Sequence, residues 1–164
     1  MPDRDESIKK LGSLIKDIGV AMLTTADADG TLRSRPMATQ KHDFDGTLWF
    51  FTRADAPKVF EIGREHQVNL SYAEPKKQDF VSVSGTAHLV RDKAKIEELW
   101  HPLLKAWFPK GLDDPQIALL RVDVSKAEYW DSTSITLVHL VGFIKAMATG
   151  TSYEPGENEQ IELG

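Results

Sequence analysis

The chain has 164 residues, a net charge of −5, 41% apolar residues and 27% charged residues. That length suits one domain with a sizeable core. The acidic balance argues against broad nucleic-acid binding, which needs a basic face, and the absence of cysteine excludes disulfide scaffolds, Cys-ligated zinc, iron–sulfur clusters and thiol nucleophiles.

The first six residues, Met1 to Glu6, are charged and polar, with no apolar run behind them, so no signal peptide is expected. The apolar segment from Leu137 to Met147 is interrupted by His139 and Lys145, too short and polar to span a bilayer. A cytoplasmic protein without membrane or nucleic-acid partners is the expectation.

Residues 5–18 predict an amphipathic helix, with Ile8, Leu11, Ile15 and Ile18 on one stripe. Asp3 and Glu6 have the spacing of a capping box. Val20 to Thr25 predicts a buried strand, and Asp27-Ala28-Asp29-Gly30 a turn. Leu32 to Gln40 is extended, and Pro36 within it points to an edge. Asp45-Gly46 is a hairpin signal, followed by an aromatic strand from Thr47 to Thr52. Short turns between three strands imply an antiparallel meander.

Asp55-Ala56-Pro57 predicts a helix start, with Asp55 as cap and Pro57 in the first turn, running to about His66. Strands follow over Val68–Ala73 and Phe80–Val90. In the second, Gly85 suggests a bulge or a close backbone approach. Residues 92–108 carry a helical apolar pattern that Pro102 should break. Ile117–Val124 and Ala127–Trp130 form one long strand or two, and Thr136–Ala148 a short final helix. The expected organisation is a single domain over 1–149, with the acidic segment 150–164 as a mobile tail. About six strands with peripheral helices fit a small antiparallel barrel.

Common nucleotide-binding and hydrolase fingerprints are absent. The histidines at 42, 66, 88, 101 and 139 are scattered singly, so no metal site is expected. The chemical signal lies in a few cations. Lys58 sits in the first turn of its predicted helix, where a cation opposes the helix dipole. A bound phosphate would satisfy both Lys58 and the free N–H groups there. The alternative is a solvated Lys reaching back to Asp55. Arg33 and Arg35, two apart on a strand, point to one face. If that face meets the Lys58 helix they form an anion clamp, and otherwise they are surface residues. Trp49, Phe50, Phe51, Trp100, Trp107, Phe108, Tyr129 and Trp130 give an aromatic load suited to core, to a flat ligand or to a subunit interface.

In order and spacing, Arg35-Pro36-Met37-Ala38-Thr39-Gln40, Gly46, Trp49-Phe50-Phe51-Thr52 and Pro57-Lys58 resemble the FMN-binding split barrels related to pyridoxamine 5′-phosphate oxidase. Val68–Tyr72, Val81–Ala87, Leu103–Pro109 and Ala127–Trp130 are similar to the bacterial general stress protein branch. The resemblance implies a mainly β, six-stranded antiparallel split β-barrel, dimeric, with FMN at the subunit interface; FAD is also possible. It implies cofactor contacts from Arg35, Pro36, Met37, Ala38, Thr39, Phe51, Thr52 and Lys58, with Trp100, Trp107 and Trp130 as further candidates. It implies a flavin-dependent oxidoreductase with a small-molecule redox partner, or else a flavin-binding stress protein without turnover. Haem binding, which would need a placed axial His, is the remaining option. No catalytic acid or base is assigned. Gln40 stands where the oxidase has Lys, Pro57 where it has a basic residue, and Phe80 where it has a flavin-contacting Gln. The oxidase's basic C-terminal segment has no counterpart. These departures argue against pyridoxamine phosphate oxidation itself.

Overall fold

The computed structural model describes residues 3–40, 43–131, 145, 147–150 and 157–164. Helix α1 (Arg4–Ile15) is capped by Asp3, whose carboxylate accepts from the Asp5 N–H at 3.1 Å. Its apolar stripe buries Leu11 and Ile15, as the periodicity requires. Strand β1 (Val20–Ala26) alternates, burying Ala21, Leu23 and Thr25 and exposing Val20 and Met22. β2 (Leu32–Ala38) pairs with β1 and forms one end of the sheet, where Pro36 can be tolerated. The remaining strands are β3 (Thr47–Arg53), β4 (Gln67–Glu74), β5 (Asp79–Val90) and β6 (Ile117–Asp131).

The strand order is β2-β1-β4-β5-β6-β3, and all pairs are antiparallel. The sheet curls into a half-barrel, so that β2 and β3 at its two ends approach each other. β6 is a single strand of 15 residues. The register between β5 and β6 shifts at Ser84/Gly85, the bulge that Gly85 suggests. The main core fills the curl, with Leu23, Phe50, Leu70, Tyr72, Val83 and Leu120 among its most buried side chains. A second cluster of Ile96, Leu104, Phe108, Ile117 and Leu119 lies apart from it.

Three sequence expectations change. First, α2 (Pro57–Arg64) carries Pro57 in its first turn, but Ala56 occupies the cap position and offers no side-chain bond. Asp55 instead pairs with Arg53 at 3.2 Å. Second, the helical pattern of 92–108 splits. α3 (Lys93–Leu99) is capped by Asp92, and a short 3-10 turn begins at Pro102. Pro102 has no N–H to continue the helix. Third, the end of the acidic segment is not a mobile tail. Glu157–Glu162 forms β7, which pairs with β6 from Lys126 to Asp131. β3 leaves β6 at Asp123, so the rest of that edge is free to take another strand. Ile161 and Leu163, spaced two apart, are buried in the main core. The expected C-terminal helix, Thr136–Ala148, falls largely outside the described residues. Among the described residues, no helix is long and apolar enough to cross a membrane.

Candidate anion and cofactor site

The alternation of β2 puts Arg33 and Arg35 on the same face as the buried Met37. That face meets α2. Glu61 of α2 is buried, with Oε1 accepting from Arg33 Nη1 at 3.0 Å and Oε2 from Arg35 Nη2 at 2.9 Å. The Thr25 hydroxyl on β1 donates to Glu61 Oε2 at 2.5 Å and accepts from Arg35 Nη1 at 2.6 Å. Arg35 also donates to the Leu23 carbonyl at 3.4 Å. A buried carboxylate is tolerated only with such partners. The Thr25 hydroxyl, then the Arg35 and Arg33 charges, hold the Glu61 carboxyl below its usual range against the opposing effect of burial.

Lys58 lies three residues before Glu61 on α2, so the two share one side of the helix. Burial, and then the Arg35 charge, push the Lys58 ammonium down, while Glu61 pushes it up. Lys58 is thus half-buried in a cationic setting, beside a helix start with no side-chain cap. Arg33, Arg35 and Lys58 against Glu61 leave an excess of two positive charges. A phosphomonoester carries about −1.5 to −2 at neutral pH, so this donor set fits a phosphate.

The other expected residues are distributed as follows. Pro36 and Ala38 are exposed on the outer face of β2, whereas Met37 is turned into the core. Thr39 donates its N–H to Gly19 at 3.0 Å, and its buried Oγ1 has no hydrogen-bond partner among the described residues. It lines a cleft of about 630 Å³ between α1 and β3, shared with Gln40, Phe44, Leu48 and Trp49. Neither Arg35 nor Lys58 lines that cleft. Thr52 is buried on β3 and donates to the Arg53 carbonyl at 3.3 Å. Phe51 packs edge-on against Trp100 at 6.1 Å and beside Phe108 at 6.3 Å, so Phe51 and Trp100 belong to the second apolar cluster. Trp107 is exposed after the 3-10 turn, and Trp130 is exposed opposite Phe80 on β5. The structure therefore brings Arg33, Arg35 and Lys58 together, as the anion-clamp alternative requires, and supplies two residues that the sequence did not single out, Glu61 and Thr25. The spacing of Glu61 from Lys58 was visible in the sequence; its burial was not.

These features define a split-barrel protein with a cationic cluster where its edge strand meets a helix. The family model for pyridoxamine 5′-phosphate oxidase like proteins matches residues 6–154. The chain belongs to that family. It is 31% identical over 156 residues to protein bli-3 of Neurospora crassa, covering 89% of this chain and 73% of that one. It is 31% identical to the general stress FMN/FAD binding protein of Xanthomonas citri, whose crystal structure superposes with a TM-score of 0.67 over 80% of this chain and 93% of that one. A protein related to general stress protein 26 from Clostridium acetobutylicum, of the pyridoxinephosphate oxidase family, superposes with a TM-score of 0.72. It covers 99% of this chain and 97% of that one at 19% identity, and so shows the fold alone.

Proposed function

We propose that the chain is a cytoplasmic FMN-binding protein of the general stress type, working as a flavin-dependent oxidoreductase. The observation that carries the proposal is the excess positive charge of Arg33, Arg35 and Lys58 around Glu61 at the start of α2. The relative from Xanthomonas citri, described as FMN/FAD binding, supports it. FMN would supply hydride or electron transfer. The chain would anchor the phosphate through this cluster, and β2 through Thr39, with Phe51 and Thr52, would flank the rest of the cofactor. The proposal includes a homodimer with flavin at the interface and a small-molecule redox partner. Support for the dimer comes from Val20, Met22, Phe80 and Trp130, all on outer-facing strand positions and 38–54% exposed. Isolated apolar side chains are common on surfaces, but a group on one sheet suits a partner.

One observation favours a second reading, a flavin binder without turnover. Gln40, standing where the oxidase holds substrate with Lys, turns back to bond the Ala38 carbonyl at 3.3 Å. Titration of the apoprotein with FMN tests binding, and flavin reduction by NADH or NADPH followed at the flavin absorbance band tests turnover. Lys58→Ala should weaken FMN binding roughly 10–150-fold, since one charge-assisted phosphate contact is worth about 1.5–3 kcal/mol. Tight binding with no reduction by any donor selects the second reading. No FMN binding by the wild type removes both.

A further inference from the structure

A closed ring of hydrogen bonds sits under the cationic cluster. Arg35 donates Nη1 to Thr25, Thr25 donates to Glu61, and Glu61 accepts from Arg35 Nη2. Both terminal nitrogens of Arg35 are thus engaged within the protein, and its side chain is only 19% exposed. Arg33 commits one terminal nitrogen to Glu61 and keeps a side chain 53% exposed. Thr25 is itself buried on β1, so Glu61 is anchored from below by a rigid strand.

We propose that Glu61 is a positioning residue for the phosphate end of the site: it locks Arg35 in place and orients Arg33, so that Arg33 and Lys58 are the cations that meet the phosphate. The inference rests on the FMN-binding reading. It places the direct contact on Arg33 instead of Arg35, which the family resemblance singled out. The opposite role would be a competitor, a carboxylate occupying the arginines until phosphate displaces it. Burial and anchoring decide between them. A competitor must be able to leave, and Glu61 can leave only by giving up two arginine ion pairs and the bond from a buried threonine. Its charge also keeps three neighbouring cations from repelling one another apart.

The test compares FMN with riboflavin, which lacks the phosphate. Full-length apoprotein is titrated with each by flavin fluorescence, as wild type, Glu61→Gln, Glu61→Ala and Arg33→Ala. Glu61→Gln keeps the shape and a bond to Thr25, so it answers the question even if Glu61→Ala does not fold. The expectation is that wild type prefers FMN. Glu61→Gln should lose FMN affinity by about tenfold or more while riboflavin affinity stays within about twofold. Arg33→Ala should cut the same preference. A role in folding alone would weaken both ligands in equal proportion, and that result overturns the inference. Tighter FMN binding by Glu61→Gln also overturns it, because Glu61 would then be a competitor. If wild type binds neither flavin, the FMN reading falls and takes the inference with it. If wild type prefers FMN and Glu61→Gln keeps that preference, the inference alone falls.

Discussion

Gly85→Ala tests whether the β5–β6 bulge is set by a close backbone approach. A Cβ at this position would lie 2.4 Å from the Asp123 carbonyl oxygen, 3.0 Å from Val122 Cγ1 and 3.1 Å from the Asp123 carbonyl carbon. Two of these atoms are backbone, so no side-chain rotation relieves the clash. The strands must separate by at least ~0.6 Å before the first contact becomes tolerable. Gly85 sits between Val68 of β4 and Val124 of β6, so the movement strains two ladders at once. Overpacking of a tight site costs about 1–3 kcal/mol, and a weakened ladder bond adds about 1 kcal/mol. A loss of ~2–4 kcal/mol in a chain of this size lowers Tm by roughly 4–15 °C. Thermal unfolding followed by circular dichroism measures it. A Tm within about 1 °C of wild type would refute the argument, since the bulge would then be free to open.

Ile161→Ala should destabilise the chain by about 2–5 kcal/mol in urea titration, because β7 carries a core side chain; an effect below about 0.5 kcal/mol would mean that β7 does not hold the core. Thr25→Val removes the largest influence holding Glu61 low and strands part of a buried carboxylate, costing about 1–3 kcal/mol. The depressed Glu61 value means its stabilisation is present above the ordinary carboxylate range and is lost as pH falls through that depressed value. Thr25→Val should therefore move acid unfolding to higher pH; an unmoved midpoint would count against the Thr25–Glu61 bond. Lys58 is held below 10.5, and phosphate favours its charged form, so FMN affinity should fall as pH rises through that lowered value. Lys58→Arg, charged throughout, should flatten the fall, and an equally steep decline in that variant would contradict the assignment.

Much of the fold is legible because period-two alternation and turn chemistry act locally. β1, β3 and β5 announce themselves through alternating burial, and Pro36 marks β2 as an edge strand. β7 was hidden because its local composition is acidic, with a single apolar residue, Ile161, set among Glu, Asn and Gln. Its stability comes from an open edge on β6, which no local window contains. Asp55 looked like a helix cap for the complementary reason: the cap position was one residue away, and Arg53 offered a better partner. The same contrast holds for the candidate site. Arg33, Arg35 and Lys58 could be picked out by spacing, but whether the two arginines met the helix depended on how β2 and α2 pack.

The chain by itself determined a small size, a net charge of −5 and the lack of cysteine, and it singled out a few cations whose spacing suits a phosphate. Charge count and alternation are properties of the residues and survive any packing. Only the tertiary structure decided which of those cations are free. It buried Glu61 between two arginines and a threonine from β1, committed both ends of Arg35, and left Arg33 the more exposed arginine, with Lys58 half-buried beside them. A carboxylate is acidic in any sequence; it becomes a brace only when the fold removes its water and supplies three donors in its place.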